Sequence, residues 1–171
     1  MVQIKLQLIE NLSLVSKTWV NWLNDKKINE FSDKSFKKHT INSQLKFVKN
    51  KLKLKSCKIY AIFFRKKHIG CVELSNISTT HKTVEVKILI GEENLYRKGI
   101  GSQVLKKIKK IVFEDLKMNK LKSSVVSGNI KSINFFLKNG FIKEAELKNE
   151  FKFDGVSYNK IYFSIFANNQ A

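Results

Sequence analysis

"TVEVKILIGEENLYRKGIGSQV", residues 83–104, carries two periods in one short stretch. Val84, Val86, Ile88 and Ile90 alternate, as in a half-buried strand, whereas Ile100, Val104, Leu105, Ile108, Ile111 and Val112 recur at helical spacing and predict a helix over 99–117. The junction has Gly99 and Gly101 at the helix start, beside the cations Arg97 and Lys98. A helix N-terminus exposes unpaired N–H groups and the positive end of the helix dipole, and glycines leave them bare, so the junction is built to receive an anion. It is not a P-loop, because Gly-Lys-Ser/Thr is missing. Nor is it a dinucleotide fingerprint, because there is no third glycine and the strand ends several residues earlier, at Ile90.

Working outward, Val2, Ile4, Leu6 and Leu8 alternate over a first strand at 2–9. Leu14, Val15, Thr18, Trp19, Trp22 and Leu23 form a helical stripe, with Asn11 or Ser13 as its cap and Asn24-Asp25 as its close. Thr40 caps a second helix over 40–53, marked by Ile41, Leu45, Val48 and Leu52. "CKIYAIFF" (57–64), "HIGCVEL" (68–74) and 83–90, joined by short connections, predict an antiparallel meander. Beyond the central helix, "KLKSSVVS" (120–127) reads as a strand, 130–138 as a short helix, and "FIKEAEL" (141–147) and "YNKIYFSIF" (158–166) as the last two strands. The order βααβββαβαββ predicts the α+β class: a mixed, mostly antiparallel sheet of about seven strands flanked by about four helices.

A length of 171 residues, 43% hydrophobic, fits one domain over 1–171. No long apolar run or signal peptide is visible, which predicts a soluble cytoplasmic protein without membrane contact. Cys57 and Cys71 lack metal-ligand spacing and a paired base, so neither a metal nor a nucleophilic cysteine is expected. The formal charge is +19, which attracts anions, but of 33 basic residues only Arg65 and Arg97 are arginines. Base-reading contacts favour arginine, so specific nucleic-acid binding is not expected. A basic nucleic-acid module would betray itself by steeply salt-dependent binding.

The junction "YRKGIG" (96–101) resembles the Gln/Arg-x-x-Gly-x-Gly/Ala loop of the GNAT superfamily of acyl-CoA-dependent N-acyltransferases. "GNIKSINFFLKNGF" (128–141) is similar to a second segment of that family, Asn-x-x-Ala/Ser-x-x-x-Tyr-x-x-x-Gly-Phe, matching at Asn129, Ser132, Gly140 and Phe141. The resemblance implies a sheet splayed between its fourth and fifth strands and acetyl-CoA as cofactor. It implies backbone contacts to the pantetheine from Ile88, Leu89 and Ile90, and a pyrophosphate loop of Tyr96, Arg97, Lys98, Gly99, Ile100, Gly101 and Ser102. Asn129, Ser132 and Phe136 complete the implied cofactor set. Tyr96 stands where Gln or Arg is usual, and Phe136 where the family often has a tyrosine acid. An aspartate at Gly99 or Gly101 is expected to block the cofactor while the fold survives.

"WVNWLNDKKINEF" (19–31), "HTINSQLKFV" (39–48) and "HIGCVELSNI" (68–77) resemble, more narrowly, bacterial GNAT enzymes related to ribosomal-protein N-terminal acetyltransferases. Many of those acetylate nucleotide-linked amino sugars in surface-polysaccharide synthesis. This implies direct transfer to the primary amine of such a sugar, with Trp22, Asn24, His39 and Thr40 touching the acceptor. The tryptophans have a core role as their alternative, and Asp25, His39 and Thr40 a role as helix-end residues. Glu85 is the first candidate base and is alternatively a surface carboxylate. His81 is the second, and Tyr96 or water a source of the proton for the leaving thiol. A protein N-terminus or a polyamine is the alternative acceptor, and a non-catalytic acyl-CoA binder, motivated by Phe136, the alternative class. A monomer or a homodimer fits equally.

Overall fold

The computed structural model describes residues 4–167. Its elements are β1 (Ile4–Leu8), α1 (Lys17–Asn24), α2 (Ile41–Leu52), β2 (Lys58–Phe64), β3 (Lys67–Ser78), β4 (Thr83–Ile90), α3 (Ile100–Lys110), β5 (Lys120–Val126), α4 (Ile130–Lys138), β6 (Ile142–Phe153) and β7 (Val156–Phe166). The seven strands make one sheet in the order β1-β2-β3-β4-β5-β7-β6. Among the described residues only β4 and β5 run parallel. The predicted class, strand number and order of elements are those observed.

Strand alternation sends side chains to two faces, and each face has its own core. On one face Val84, Val86, Leu121, Ile161 and Phe163 pack with Ile100, Val104, Leu105 and Ile108 of α3. On the other, Ile59, Ala61 and Cys71 meet Trp19, Trp22 and Leu23 of α1 and Val48 of α2. An eleven-residue helix is marginal in isolation. The four buried aliphatics of α3, each worth roughly 2 kcal/mol on burial, therefore anchor it to the sheet.

Several boundaries differ from the sequence reading, and β3 runs on to Ser78 beyond the expected 68–74. Residues 2 and 3 of the first expected strand lie outside the described residues. Helix α1 starts later than expected: Ser16 is the N-cap, accepting from the Trp19 amide, while Asn11 instead accepts from the Ser13 amide in a local turn. Leu14 and Val15 precede the helix yet pack on its core, so their stripe marks burial and not helix. The central helix also changes form, because Ile111–Asp115 is a π-helical turn. Finally, β6 and β7 are longer than "FIKEAEL" and "YNKIYFSIF": they continue to a tight turn at Asp154-Gly155, both at positive φ. Most of that extension is solvated and it bulges between Leu147 and Phe151, so the buried Phe153 stands without a regular alternation around it.

Candidate active site

The parallel pair holds together for only three positions, Thr83–Lys120, Val84–Leu121 and Glu85–Lys122. Beyond them β5 stays with β7 while Ile88, Leu89 and Ile90 stay with β3, so the sheet opens in a V. The buried Ser123 hydroxyl donates to the Val86 carbonyl at 3.1 Å, closing the base of the V. Above it, the β5-facing backbone edge of β4 has no strand partner among the described residues, an arrangement that can pair with an extended, amide-bearing ligand.

The 91–99 connection leads from that edge to α3. Gly91 lies against the Trp22 indole so closely that a Cβ there would sit 2.1 Å from the ring. The Tyr96 hydroxyl donates to the Ile90 carbonyl at 2.8 Å, folding the loop back on the strand end. Burial pushes its pKa up, helped by the charges of Glu93 and Asp25, so this phenol keeps its proton. Gly99 is the N-cap at φ 74°, a left-handed conformation, with no side-chain cap. The Gln103 amide is bonded to the Gly99 carbonyl, and the amides of Ile100, Gly101 and Ser102 come before it, in the first turn. Nothing lies within 4 Å of where a Gly99 side chain would begin. Arg97, also at positive φ, and Lys98 are exposed beside it. Ile100 offers only its backbone, since its side chain is buried in the core.

Gly101 has a second duty. A Cβ there would lie 3.0 Å from the Phe135 ring of α4, so an aspartate at this position requires that ring to give way by a few tenths of an ångström. Asn129 caps α4, accepting from the Ser132 amide at 3.0 Å. Phe136 faces inward, 6% exposed, between Phe135, Phe141 and Phe163. Its ring is core, not a cofactor surface.

On the face that carries α1 and α2, Glu85 sits at the last paired position of β4. Its carboxylate accepts from the Asn76 amide nitrogen at 3.0 Å and the Ser124 hydroxyl at 3.3 Å. Both donors orient it at the base of the V, about 10 Å along the strand from Ile88. Lys160 approaches from β7; the Tyr162 hydroxyl holds its ammonium above the usual lysine range, with smaller help from Glu150 and Glu85. His81 is not brought to this place. It lies exposed in the turn before β4, at the closed end of the paired strands, where its amide is bonded to the Ser78 hydroxyl.

The acceptor candidates turn out to hold the α1–α2 connection. Trp22 is buried and packs edge-on to His68 at 5.2 Å. Asn24 clasps the His39 backbone with both ends of its amide, at 2.9 and 2.8 Å, and the His39 ring meets the Lys34 carbonyl. Thr40 forms a capping box with Ser43, and Asp25 accepts from the amides of Lys27 and Ile28. Sequence reading missed the aromatic cluster that carries this connection across the open end of the sheet. Phe31 meets Tyr158 and Phe153 edge-on at 5.5 and 6.2 Å, and Phe36 stacks on Phe153 at 5.3 Å. Phe31 belongs to a stretch without period, and only its aromatic character signalled a contact.

The chain belongs to the GNAT acetyltransferase family, whose domain matches residues 12–142. It is similar to acetyltransferase PseH of Campylobacter jejuni, 32% identical over 70% of this chain and 72% of that one. It is also similar to spermidine N(1)-acetyltransferase of Escherichia coli, 35% identical over 57% of this chain but only 52% of that one. Among solved structures, spermidine N-acetyltransferase of Vibrio cholerae in complex with CoA and spermine superposes with a TM-score of 0.83 at 20% identity, covering 97% and 96% of the two chains. The chain is therefore an N-acetyltransferase that uses acetyl-CoA, as the resemblance of its 96–101 loop had implied. Two features fit that cofactor: the unpartnered edge of β4 suits an amide-bearing pantetheine, and the bare α3 N-terminus at Gly99 suits a pyrophosphate. Bound there, acetyl-CoA supplies an activated acetyl thioester.

Proposed function

We propose that this enzyme, a single cytoplasmic domain over residues 1–171, transfers acetyl to the primary amine of a nucleotide-linked amino sugar, with Glu85 as base. The carrying observation is the setting of Glu85: a carboxylate held by Asn76 and Ser124 at the base of the V. There it can take the proton the amine loses as its nitrogen bonds the thioester carbonyl carbon; the carbon–sulfur bond then breaks and CoA leaves as a thiolate that water protonates. A positioned carboxylate base is worth roughly a hundredfold or more in rate. The 96–102 loop holds the pyrophosphate, and Tyr96 clamps the loop instead of moving a proton.

Charge supports the acceptor. Lys122 is the strand neighbour of Glu85, Lys160 reaches its field from β7, and the whole chain carries +19. A diphosphate is drawn to such a surface and a polycation repelled. A polyamine is the second reading, favoured by the spermidine acetyltransferases among the relatives. Thiol release from acetyl-CoA against nucleotide-linked amino sugars, spermidine and a peptide N-terminus tests both. Release with a sugar is expected; release with spermidine alone overturns the acceptor. Glu85→Gln is expected to lower kcat about a hundredfold with the KM for acetyl-CoA unchanged, and an undiminished kcat removes Glu85 as base.

A further inference from the structure

Away from the V, a groove of about 990 Å³ runs between β1, the β2–β3 turn and the far end of α3. Ile4, Lys5, Leu6 and Gln7 all line it. Consecutive strand residues point to opposite faces, so a groove touched by all four follows the edge of the strand and not one face. β1 is the terminal strand of the sheet, hydrogen-bonded to β2 alone among the described residues, and its other edge is open to pairing. Five cations line the groove, Lys5, Arg65, Lys66, Lys107 and Lys110, with Asp115 as the lining carboxylate and the exposed Glu114 3.8 Å from the Lys110 ammonium.

Two backbone features mark the lips. Arg65 and Lys66 make the two-residue β2–β3 turn with φ of 48° and 67°, where Asn-Gly is the unstrained choice, so two long cations occupy positions that disfavour them. Opposite, the groove is lined by Ile111 and Asp115 of the π-helical turn, an irregularity that recurs at functional sites.

We infer that this groove is a docking site for an extended acidic segment of a partner protein, which adds a strand to β1 and sets its carboxylates against Lys5, Arg65, Lys66, Lys107 and Lys110. Main-chain pairing supplies affinity and charge supplies selection. A second copy of this chain is disfavoured, because pairing β1 with itself sets the same cations against each other. A nucleic acid makes no use of an open strand edge, which favours the peptide. The inference does not depend on the identity of the acetyl acceptor.

The test uses the full chain and a fluorescein-labelled peptide of alternating glutamate and valine, about ten residues long, followed by fluorescence polarisation. Lys107→Glu/Lys110→Glu is expected to weaken binding about tenfold or more. Lys46→Glu/Lys49→Glu on α2, across the sheet, makes the same change in net charge and is expected to bind as the parent does. N-methylation of alternate peptide amides is expected to abolish binding, and thermal melts confirm that both variants fold. No binding by the parent, equal losses in the two variants, or indifference to N-methylation would overturn the inference. So would tighter binding of a single-stranded oligonucleotide through the same lysines.

Discussion

At Gly99 the backbone stands at φ 74° in open space, while two residues on Gly101 has ordinary geometry but faces Phe135. The two glycines therefore separate binding from folding. Gly99→Asp strains one residue by about 1 kcal/mol and sets a carboxylate at the anion site; acetyl-CoA affinity measured by calorimetry is expected to fall at least tenfold while the thermal midpoint drops by only a few degrees. Gly101→Leu is expected to lower the midpoint more, because Phe135 must move. His68 gives a pH-dependent test. Enclosed by Trp19, Trp22 and Phe63, with a ring nitrogen on the Gly70 carbonyl, it has a pKa pushed below 6.5 by burial. The unfolded chain then binds the proton more readily, so this contribution to stability is complete above pH 6.5 and is lost as pH falls through the depressed value. Thermal melts of His68→Phe are expected to show a smaller loss between neutral and mildly acidic pH than the parent.

The 91–99 loop is an element made precise by its neighbours. Trp22 fills the space beneath Gly91, and Tyr96 ties the loop to the end of β4. Trp22→Ala is expected to cost about 3–5 kcal/mol by cavity formation. It is also expected to raise the Kd for acetyl-CoA, because the indole supports the loop at Gly91; urea denaturation and calorimetry check the two effects. Helix α2 with its Thr40 cap, β5 and α4 were readable because each buries one face and so shows its period, and β2 and β3 because they are short, nearly continuous apolar runs buried on both faces. The π-helical turn and the far ends of β6 and β7 were not. The first breaks the period it belongs to, and the second is mostly exposed and bulges between Leu147 and Phe151, so that Phe153 is buried there without a period around it.

For the whole molecule, the net charge of +19 governs encounter. With an anionic acceptor, its KM is expected to rise as ionic strength increases from about 0.01 to 0.15 M, a range over which the screening length falls from roughly 30 to 8 Å. With a polyamine the KM is expected to stay level or fall, and steady-state kinetics at several salt concentrations distinguish the two. The sequence by itself determined the class of fold, the order of elements and the anion-receiving helix start, because these rest on periodicity and on backbone properties of glycine that act over a few residues; the acetyl-CoA cofactor followed from the resemblance of 96–101 and 128–141 to GNAT motifs. Only the tertiary structure decided which side chains face which space. It turned Phe136 into the core, made Trp22, Asn24, His39 and Thr40 supports of a connection, left His81 at a distant turn, and gathered Glu85, Asn76 and Ser124 from three strands. Such choices follow from the opening of β4 from β5 and from packing between residues far apart in the chain, and no local pattern records them.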